Sequence, residues 1–250
     1  MVVLKTSREL AKMREAGRIS ANALKLAGQA VEPGVSTAEI DRVVRRYIEG
    51  QGAKPSFLGY GGFPASACIS VNDEVVHGIP SKKRILKSGD IVSIDVGAFI
   101  DGFHGDNAWT FACGDISAEA QGLLDATKES LYEGIKQAVA GNRIGDIGSA
   151  VQQYVEARSY SVVRDYVGHG VGAKLHEDPS VPNFGTPGRG VRLLPGMTIA
   201  IEPMINLGTH KVRVLDDDWT AVTADGKLSA HFEHSVAITA DGPVILTLAD

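Results

Sequence analysis

A ten-residue pattern occurs twice in this sequence, and each copy ends in a carboxylate. Leu86-Lys-Ser-Gly89-Asp-Ile-Val-Ser-Ile94-Asp95 aligns without gaps with Leu193-Leu-Pro-Gly196-Met-Thr-Ile-Ala-Ile201-Glu202. Upstream of each stands a His-x-x-Pro, at His77-Gly-Ile-Pro80 and His176-Glu-Asp-Pro179, and downstream a His-x-acid, at His104-Gly-Asp106 and His231-Phe-Glu233. Any one of these matches is commonplace, but three in the same order indicate a duplication. A duplicated chain folds as two related halves, roughly 1–115 and 116–250, and sets two related carboxylate pairs into one fold.

Composition narrows the class further. With 250 residues, 44% of them hydrophobic, there is ample material for a core at about 150 residues per domain. The balance of 25 basic against 30 acidic side chains, net −5, speaks against a nucleic-acid binder, which needs a basic excess to displace counterions. Two cysteines, Cys68 and Cys113, make neither a disulfide framework nor a four-thiolate zinc site, which fits a reducing compartment. The N-terminus mixes Lys5, Arg8 and Glu9 into its apolar start, and no window reaches the roughly 18–20 apolar residues of a membrane span. The expectation is a cytoplasmic protein with no DNA and no membrane partner. Glycine, at 29 residues, exceeds the usual ~7% and points to turns where backbone comes close to something.

Thr6 and Glu9 form a capping-box pair, and Leu10, Met13, Ile19, Ala23, Leu24 and Ala27 follow at helical spacing, predicting a helix that ends at Pro33-Gly34. Ser36 and Glu39 repeat the signature, and Ile40, Val43, Val44, Tyr47 and Ile48 supply the buried stripe of a second helix stopping near Gly50 and Gly52. A glycine-rich loop over 57–64 comes next. Strands are predicted over 67–71, 91–100 and 108–112, where β-branched residues dominate between turn residues. A third helix is predicted from Ser117 to about residue 140 and a fourth over 147–160. Strands return at 197–205, 211–214, 220–223, 233–239 and 244–248. Helices followed by strands, twice over, indicate an α+β fold rather than a doubly wound sheet.

The strand over 91–95 is apolar until it ends in Asp95, which suits a buried position where an ionised carboxylate is costly unless compensated. Glu202 repeats this before Pro203. Taken singly, each acid reads as an ordinary salt-bridge residue; under the repeat, Asp95, Asp106, Glu202 and Glu233 converge between the halves. Four acids in one cavity repel one another, and bound divalent cations are the usual remedy. An oxygen-rich set with one imidazole suits Mn²⁺, Fe²⁺ or Co²⁺ and is unlike a closed tetrahedral zinc site. The best imidazole is His169 in Val167-Gly168-His169-Gly170-Val171-Gly172, where glycines on both sides let the backbone approach closely. Two metals bridged by carboxylates can hold a hydroxide at neutral pH and polarise a carbonyl.

The set Asp95, Asp106, His169, Glu202 and Glu233, with Gly168-His169-Gly170-Val171-Gly172 and Tyr60-Gly-Gly-Phe-Pro-Ala-Ser-Ala-Cys68, resembles the type I methionine aminopeptidases over essentially the whole chain. The resemblance implies the pita-bread fold: a central antiparallel sheet flanked by helices, in two pseudo-symmetric halves, with 1–250 a single catalytic domain. It implies two divalent metal ions, Co, Mn, Fe or Zn. Asp95 would chelate one, Asp106 and Glu233 would bridge, and His169 and Glu202 would bind the other. Glu202 would also act as general base, and His77 and His176 would contact the scissile amide. The implied reaction removes the N-terminal methionine of nascent proteins and peptides with a small second residue, by hydroxide bridging the metals.

Tyr60, Phe63, Cys68, His77, His176 and Trp219 correspond to substrate-binding positions, with Phe57 and Leu175 beside them. Phe63 stands where many bacterial relatives have tyrosine, Phe57 where several have cysteine, and Leu175 where phenylalanine is common. These apolar exchanges preserve methionine selectivity and change pocket shape. The family is usually monomeric and acts on nascent chains. The basic run Lys82-Lys83-Arg84 with Lys87, a solvated turn on its own terms, would then be a ribosome contact. The remaining histidines, His104, His210, His231 and His234, read as structural or surface residues, with His104 and His231 placed to support neighbouring ligands.

Three other readings compete. X-prolyl aminopeptidases and prolidases share the fold and the five ligands but usually carry a long extra N-terminal domain, whereas here the first ligand arrives by Asp95. A non-catalytic pita-bread binding module typically lacks ligands, and all five are present. Gly168-x-Gly170-x-x-Ala173 satisfies a relaxed dinucleotide fingerprint, but Pro179 and Pro182 interrupt the helix it requires. The run from Glu202 to Glu233 leaves no room for the long helical insertion of type II enzymes.

Overall fold

Thr6 and Ser36 open the first two helices as their spacing to Glu9 and Glu39 predicts. The Glu9 carboxylate accepts the Thr6 backbone N–H at 2.7 Å, and Glu39 accepts that of Ser36 at 2.8 Å. A computed structural model describes all of residues 1–250. Its helices are α1 (Ser7–Gln29), α2 (Thr37–Gly50), α3 (Ala118–Lys136) and α4 (Ile144–Glu156). Its strands in the first part are β1 (Lys54–Pro55), β2 (Ala67–Val71), β3 (Glu74–Val76), β4 (Ile91–Ile100) and β5 (Phe103–Ala112). They continue with β6 (Ser161–Val162), β7 (Gly168–Gly170), β8 (Glu177–Val181), β9 (Thr198–Ile201) and β10 (Met204–Asn206). The last are β11 (Val212–Val214), β12 (Ala221–Thr223), β13 (Ser229–His231), β14 (His234–Thr239) and β15 (Gly242–Ile245).

The architecture is α+β, and every strand pair is antiparallel. One sheet runs β1-β4-β2 with β5 also on β4, a second runs β15-β14-β9-β7-β8, and two three-stranded sheets run β13-β10-β6 and β11-β12-β3. Helices α1 and α2 cover the first sheet over a core that includes Ile19, Leu24, Ile40, Val44, Ile69 and Ile94. Helices α3 and α4 cover a second core that includes Leu123, Leu131, Ile147, Ile199, Ile201 and Phe232. The glycine surplus has a local cause here: a Cβ at Gly105 would sit 2.4 Å from the Gly17 nitrogen, so α1 lies on β5 backbone to backbone. No helix is long and apolar enough to cross a membrane.

The two main sheets meet along a seam between β5 and the chain around β13 and β14. The Glu233 N–H donates to the Ala108 carbonyl at 2.8 Å. On one side of that bond, Ser235 Oγ donates to Asp106 O at 2.8 Å and accepts from Asp106 N at 3.2 Å. On the other, Thr110 Oγ1 donates to His231 O at 2.8 Å and accepts from His231 N at 2.9 Å. The partners 106/235, 108/233 and 110/231 step in opposite directions, so the seam is a two-residue-spaced antiparallel contact in which buried hydroxyls complete the backbone pairing.

The structure differs from the sequence reading at element edges and in short strands that were not predicted, β1, β3, β7, β8 and β13. Strand β5 begins five residues before the predicted 108, because Asp101 and Gly102 adopt φ of 51° and 87° and close a two-residue hairpin that pairs Ile100 with Phe103. The predicted strand 197–205 is two strands, since Pro203 has no N–H to give a ladder. Helix α4 starts at Ile144 rather than 147, with Asp146 accepting the Arg143 N–H at 2.7 Å. Helices α1 and α3 stop about four residues short of the predicted ends.

Candidate active site

Each of the thirteen residues singled out from the sequence lines one cavity of about 220 Å³. At its base are the four carboxylates. Asp95 stands on β4 and Asp106 two pairs away on β5, with Asp95 opposite Ala108 and Gly97 opposite Asp106. Glu202 follows the last residue of β9 and Glu233 precedes the first of β14, just beyond the Ile201–His234 pair. Each pair thus comes from one pair of antiparallel neighbours, and the seam brings the two pairs face to face.

His169 completes the set from β7. Its Nδ1 lies 2.8 Å from the Gly170 carbonyl, which can only accept, so Nδ1 carries the proton and Nε2 keeps its lone pair. That Nε2 is 3.5 Å from Glu202 Oε1 and 3.8 Å from Asp106 Oδ2. The flanking glycines are required by packing: a Cβ at Gly168 would lie 2.3 Å from the Ala200 carbonyl, and one at Gly170 2.2 Å from that of Asp178. The close backbone approach expected around His169 is therefore real.

Burial dominates the electrostatics. Asp106 is 4% exposed and Glu233 2%. Burial pushes Asp106 up to about 7, against hydrogen bonds to the Asn107 N–H and Asp95 that favour its charge. Asp95, Glu202 and Glu233 are raised by burial first and by the charge of Asp106 second. Burial lowers His169 to about 4, with His176 adding to it. Oδ1 of Asp95, Oδ1 of Asp106 and Oε1 of Glu233 are buried with no hydrogen-bond partner. Orphaned buried carboxylate oxygens are costly unless a cation meets them. Ligand atoms of Asp106, His169 and Glu233 lie within 4.8 Å of one another, and Glu202 adjoins them through His169. The donor set therefore fits hard or borderline divalent cations.

Two histidines stand beside this cluster. His176 Nδ1 is 2.7 Å from the Tyr60 hydroxyl, and its ring centroid is 4.2 Å from that of His169. His77 has φ of 61°, a left-handed conformation uncommon for a side-chain-bearing residue and a mark of a functionally constrained position. Its ring is held edge-on by Tyr166 at 5.4 Å and by Trp219 at 6.4 Å. Burial lowers both histidines, His77 to about 4, so both are neutral at pH 7. The apolar end of the cavity is a buried cluster of Phe57, Phe63, Ala65, Cys68 and Leu175, with Trp219 edge-on to Phe63 at 5.1 Å.

Sequence reasoning missed four lining residues, Val76, Tyr166, Val167 and Met204. Each had a signal: Val76 precedes His77, Tyr166 and Val167 precede Gly168-His169, and Met204 stands two residues past Glu202. His231 is 1% exposed, and its Nε2 lies 3.7 Å from Glu202 Oε2, beyond hydrogen-bond reach and without another partner. His104 bonds through Nδ1 to Ser56 Oγ at 2.8 Å.

A buried carboxylate–imidazole cluster of this kind, opening on an apolar pocket, is the donor set of a metal-dependent enzyme. The model of metallopeptidase family M24 matches residues 11–240, and the chain belongs to that family. Within it, relatives matched along their full length include methionine aminopeptidases. The chain is 53% identical to methionine aminopeptidase of Clostridium acetobutylicum, over 100% of both chains. It is 55% identical to methionine aminopeptidase 1 of Bacillus subtilis, over 99% of each. The crystal structure of methionine aminopeptidase from Thermotoga maritima superposes with a TM-score of 0.97 at 46% identity, over 99% of each chain. The prolidase of Pyrococcus horikoshii shares the fold, with a TM-score of 0.80 at 22% identity, and this chain covers 65% of it.

Proposed function

We propose that this protein removes the N-terminal methionine from peptides and nascent proteins whose second residue is small, using two divalent metal ions. The observation that carries the reading is the junction of three orphaned buried carboxylate oxygens with an apolar pocket walled by Phe57, Phe63, Cys68 and Leu175. A flexible, unbranched thioether fits such an aromatic and sulfur-lined wall. Full-length similarity to methionine aminopeptidases supports it, whereas prolidases are similar at the level of fold.

In this reading Asp95, Asp106, His169, Glu202 and Glu233 would hold the two cations, and Co, Mn, Fe and Zn suit the donor set. When bound, the cations neutralise the carboxylates, polarise the scissile carbonyl and make water a better nucleophile. Glu202 takes the proton of the attacking water and delivers it toward the leaving nitrogen. A neutral His176 that donates to the scissile amide carries its proton on Nε2, and the Tyr60 hydroxyl, 2.7 Å from Nδ1, is then the donor to that nitrogen. His77 supplies a second contact from the opposite wall, its neutral state set by burial. Tyr60, Phe63, Cys68, Trp219, Phe57 and Leu175 hold the methionine side chain and exclude water. Residues 1–250 act as one catalytic domain of two related halves, as a monomer in the cytoplasm. Lys82, Lys83, Arg84 and Lys87 are exposed and form the patch for ribosome contact, tested by co-sedimentation of a charge-reversed variant.

Release of methionine from a Met-Ala-Ser peptide, compared with cleavage of an Ala-Pro peptide, tests the reading in Mn²⁺, Fe²⁺, Co²⁺ and Zn²⁺ separately. Methionine release should depend on metal and exceed Ala-Pro cleavage. No methionine release with any of the four would sink it.

A further inference from the structure

The β7–β8 hairpin carries His169 on its first strand and His176 at the end of its loop, and a buried ion pair to a distant segment holds it. Lys5 precedes α1, and its Nζ lies 2.5 Å from Glu177 Oε2, with side-chain exposures of 3% and 10%. Nζ also donates to the Val3 carbonyl at 3.1 Å, and Glu177 Oε1 accepts the Lys174 N–H at 3.1 Å. The pair is packed against the loop itself: a Cβ at Gly172 would lie 2.7 Å from Lys5 Nζ and 2.6 Å from Glu177 Oε1. The Lys5 backbone is fixed in turn, its N–H donating to the Gly196 carbonyl at 2.7 Å in the turn that leads into β9 and Glu202. Opposite, the His104 N–H donates to the Gly172 carbonyl at 2.9 Å, joining the loop to β5 and Asp106.

We infer that Lys5 and Glu177 form a clasp that sets the position of His176, which makes Lys5 a positioning residue for a reaction it does not touch. The inference rests on the reading of His176 as a substrate contact. Glu177 is the next residue after His176 and pairs with Gly170, so moving its carboxylate moves the His176 backbone directly. The His176 ring itself has one hydrogen bond, to Tyr60 in an exposed, glycine-rich segment, and packs edge-on against His169 with centroids 4.2 Å apart. A buried Lys–Glu pair is a poor source of stability compared with apolar packing, and such pairs are attested as devices that fix one arrangement over others. A clasp between residues 172 positions apart serves that purpose here, registering the N-terminal segment, the histidine loop and the β9 turn against one another.

The test is Lys5→Met, which keeps the stem and removes the charge, with Glu177→Gln as the second variant. In the metal-loaded protein, kcat for Met-Ala-Ser should fall about 10- to 100-fold, since displacements near 1 Å carry that cost. KM and bound metal should stay within about twofold of wild type. Independently of turnover, the His176 imidazole resonances of the metal-free protein should shift in Lys5→Met while those of His210, remote from the clasp, stay fixed. Unchanged His176 resonances, or a kcat within twofold of wild type in a folded variant, overturns the clasp. If Lys5→Met does not fold, the same two readouts on Glu177→Gln decide. Wild-type protein without methionine release would instead overturn the proposed function, and the resonances would still decide the clasp.

Discussion

Replacing Gly168 by alanine tests whether the metal cluster depends on the close crossing of β7 and β9. The added Cβ would lie 2.3 Å from the Ala200 carbonyl and 3.1 Å from that of Val181. An ordinary carbon–oxygen contact begins near 3.3 Å, so β7 and β9 must part by roughly 1 Å. Residue 168 adjoins His169 and residue 200 stands two before Glu202, whose Oε1 is 3.5 Å from His169 Nε2, so the strain falls on the ligand pair itself. Overpacking of this kind costs about 1–3 kcal/mol, and at roughly 2–4 °C per kcal/mol the melting temperature should drop measurably. Displacement near 1 Å should lower kcat/KM for Met-Ala-Ser about 100-fold in saturating Mn²⁺. Gly50→Ala provides the control, since its Cβ meets nothing within 4 Å at the end of α2. That variant should gain up to about 1 kcal/mol and keep wild-type turnover. A Gly168→Ala enzyme with kcat/KM within twofold of wild type would refute the argument that strand spacing sets the site.

Other outcomes follow from the same geometry. Asp106→Ala should abolish methionine release together with metal binding, whereas His176→Ala should lower kcat by about 10²-fold or more with metal content unchanged; metal analysis beside activity separates them, and metal loss in the second variant would make His176 a ligand. Apparent metal affinity should climb with pH up to about 7. Asp106 is held near 7 and its three neighbours are raised, so below that value the folded protein keeps protons on carboxylates that a cation must displace. Calorimetric Mn²⁺ titration at pH 6 in buffers of different ionisation enthalpy should show more than one proton released, and release of none contradicts the raised carboxylates. Ser235→Ala would leave the buried Asp106 N–H and C=O unpaired and should cost about 1–3 kcal/mol in thermal melts; a loss under about 0.5 kcal/mol speaks against the seam.

What the sequence disclosed depended on whether the signal was local. Capping pairs at Thr6/Glu9 and Ser36/Glu39 use contacts three residues apart, and they placed two helix starts correctly. The two acids that end the duplicated pattern, Asp95 on β4 and Glu202 just past β9, were legible because an apolar strand running into a carboxylate is distinctive at short range. Strand β7 is three residues, Gly168–Gly170, whose composition argues for a turn; it is a strand because β8 and β9 flank it so closely that only glycine fits. The start of β5 was hidden by His104, Gly105, Asp106 and Asn107, polar or small because they face the site and α1. The Lys5–Glu177 pair depends on a contact between residues 172 positions apart, which no local window contains.

The ligands and the pocket wall are built on different kinds of backbone. Asp95, Asp106 and His169 stand within paired strands, and Glu202 and Glu233 adjoin strand ends. Of the pocket wall, Cys68 shares this footing on β2, whereas Phe57, Tyr60, Phe63, Leu175 and Trp219 stand on turns and connecting segments outside the paired strands. Mutation can therefore sample the second group while leaving the first untouched. A lineage starting from this scaffold could drift in which side chain it accepts, and in which inhibitors it tolerates, without once passing through an inactive intermediate.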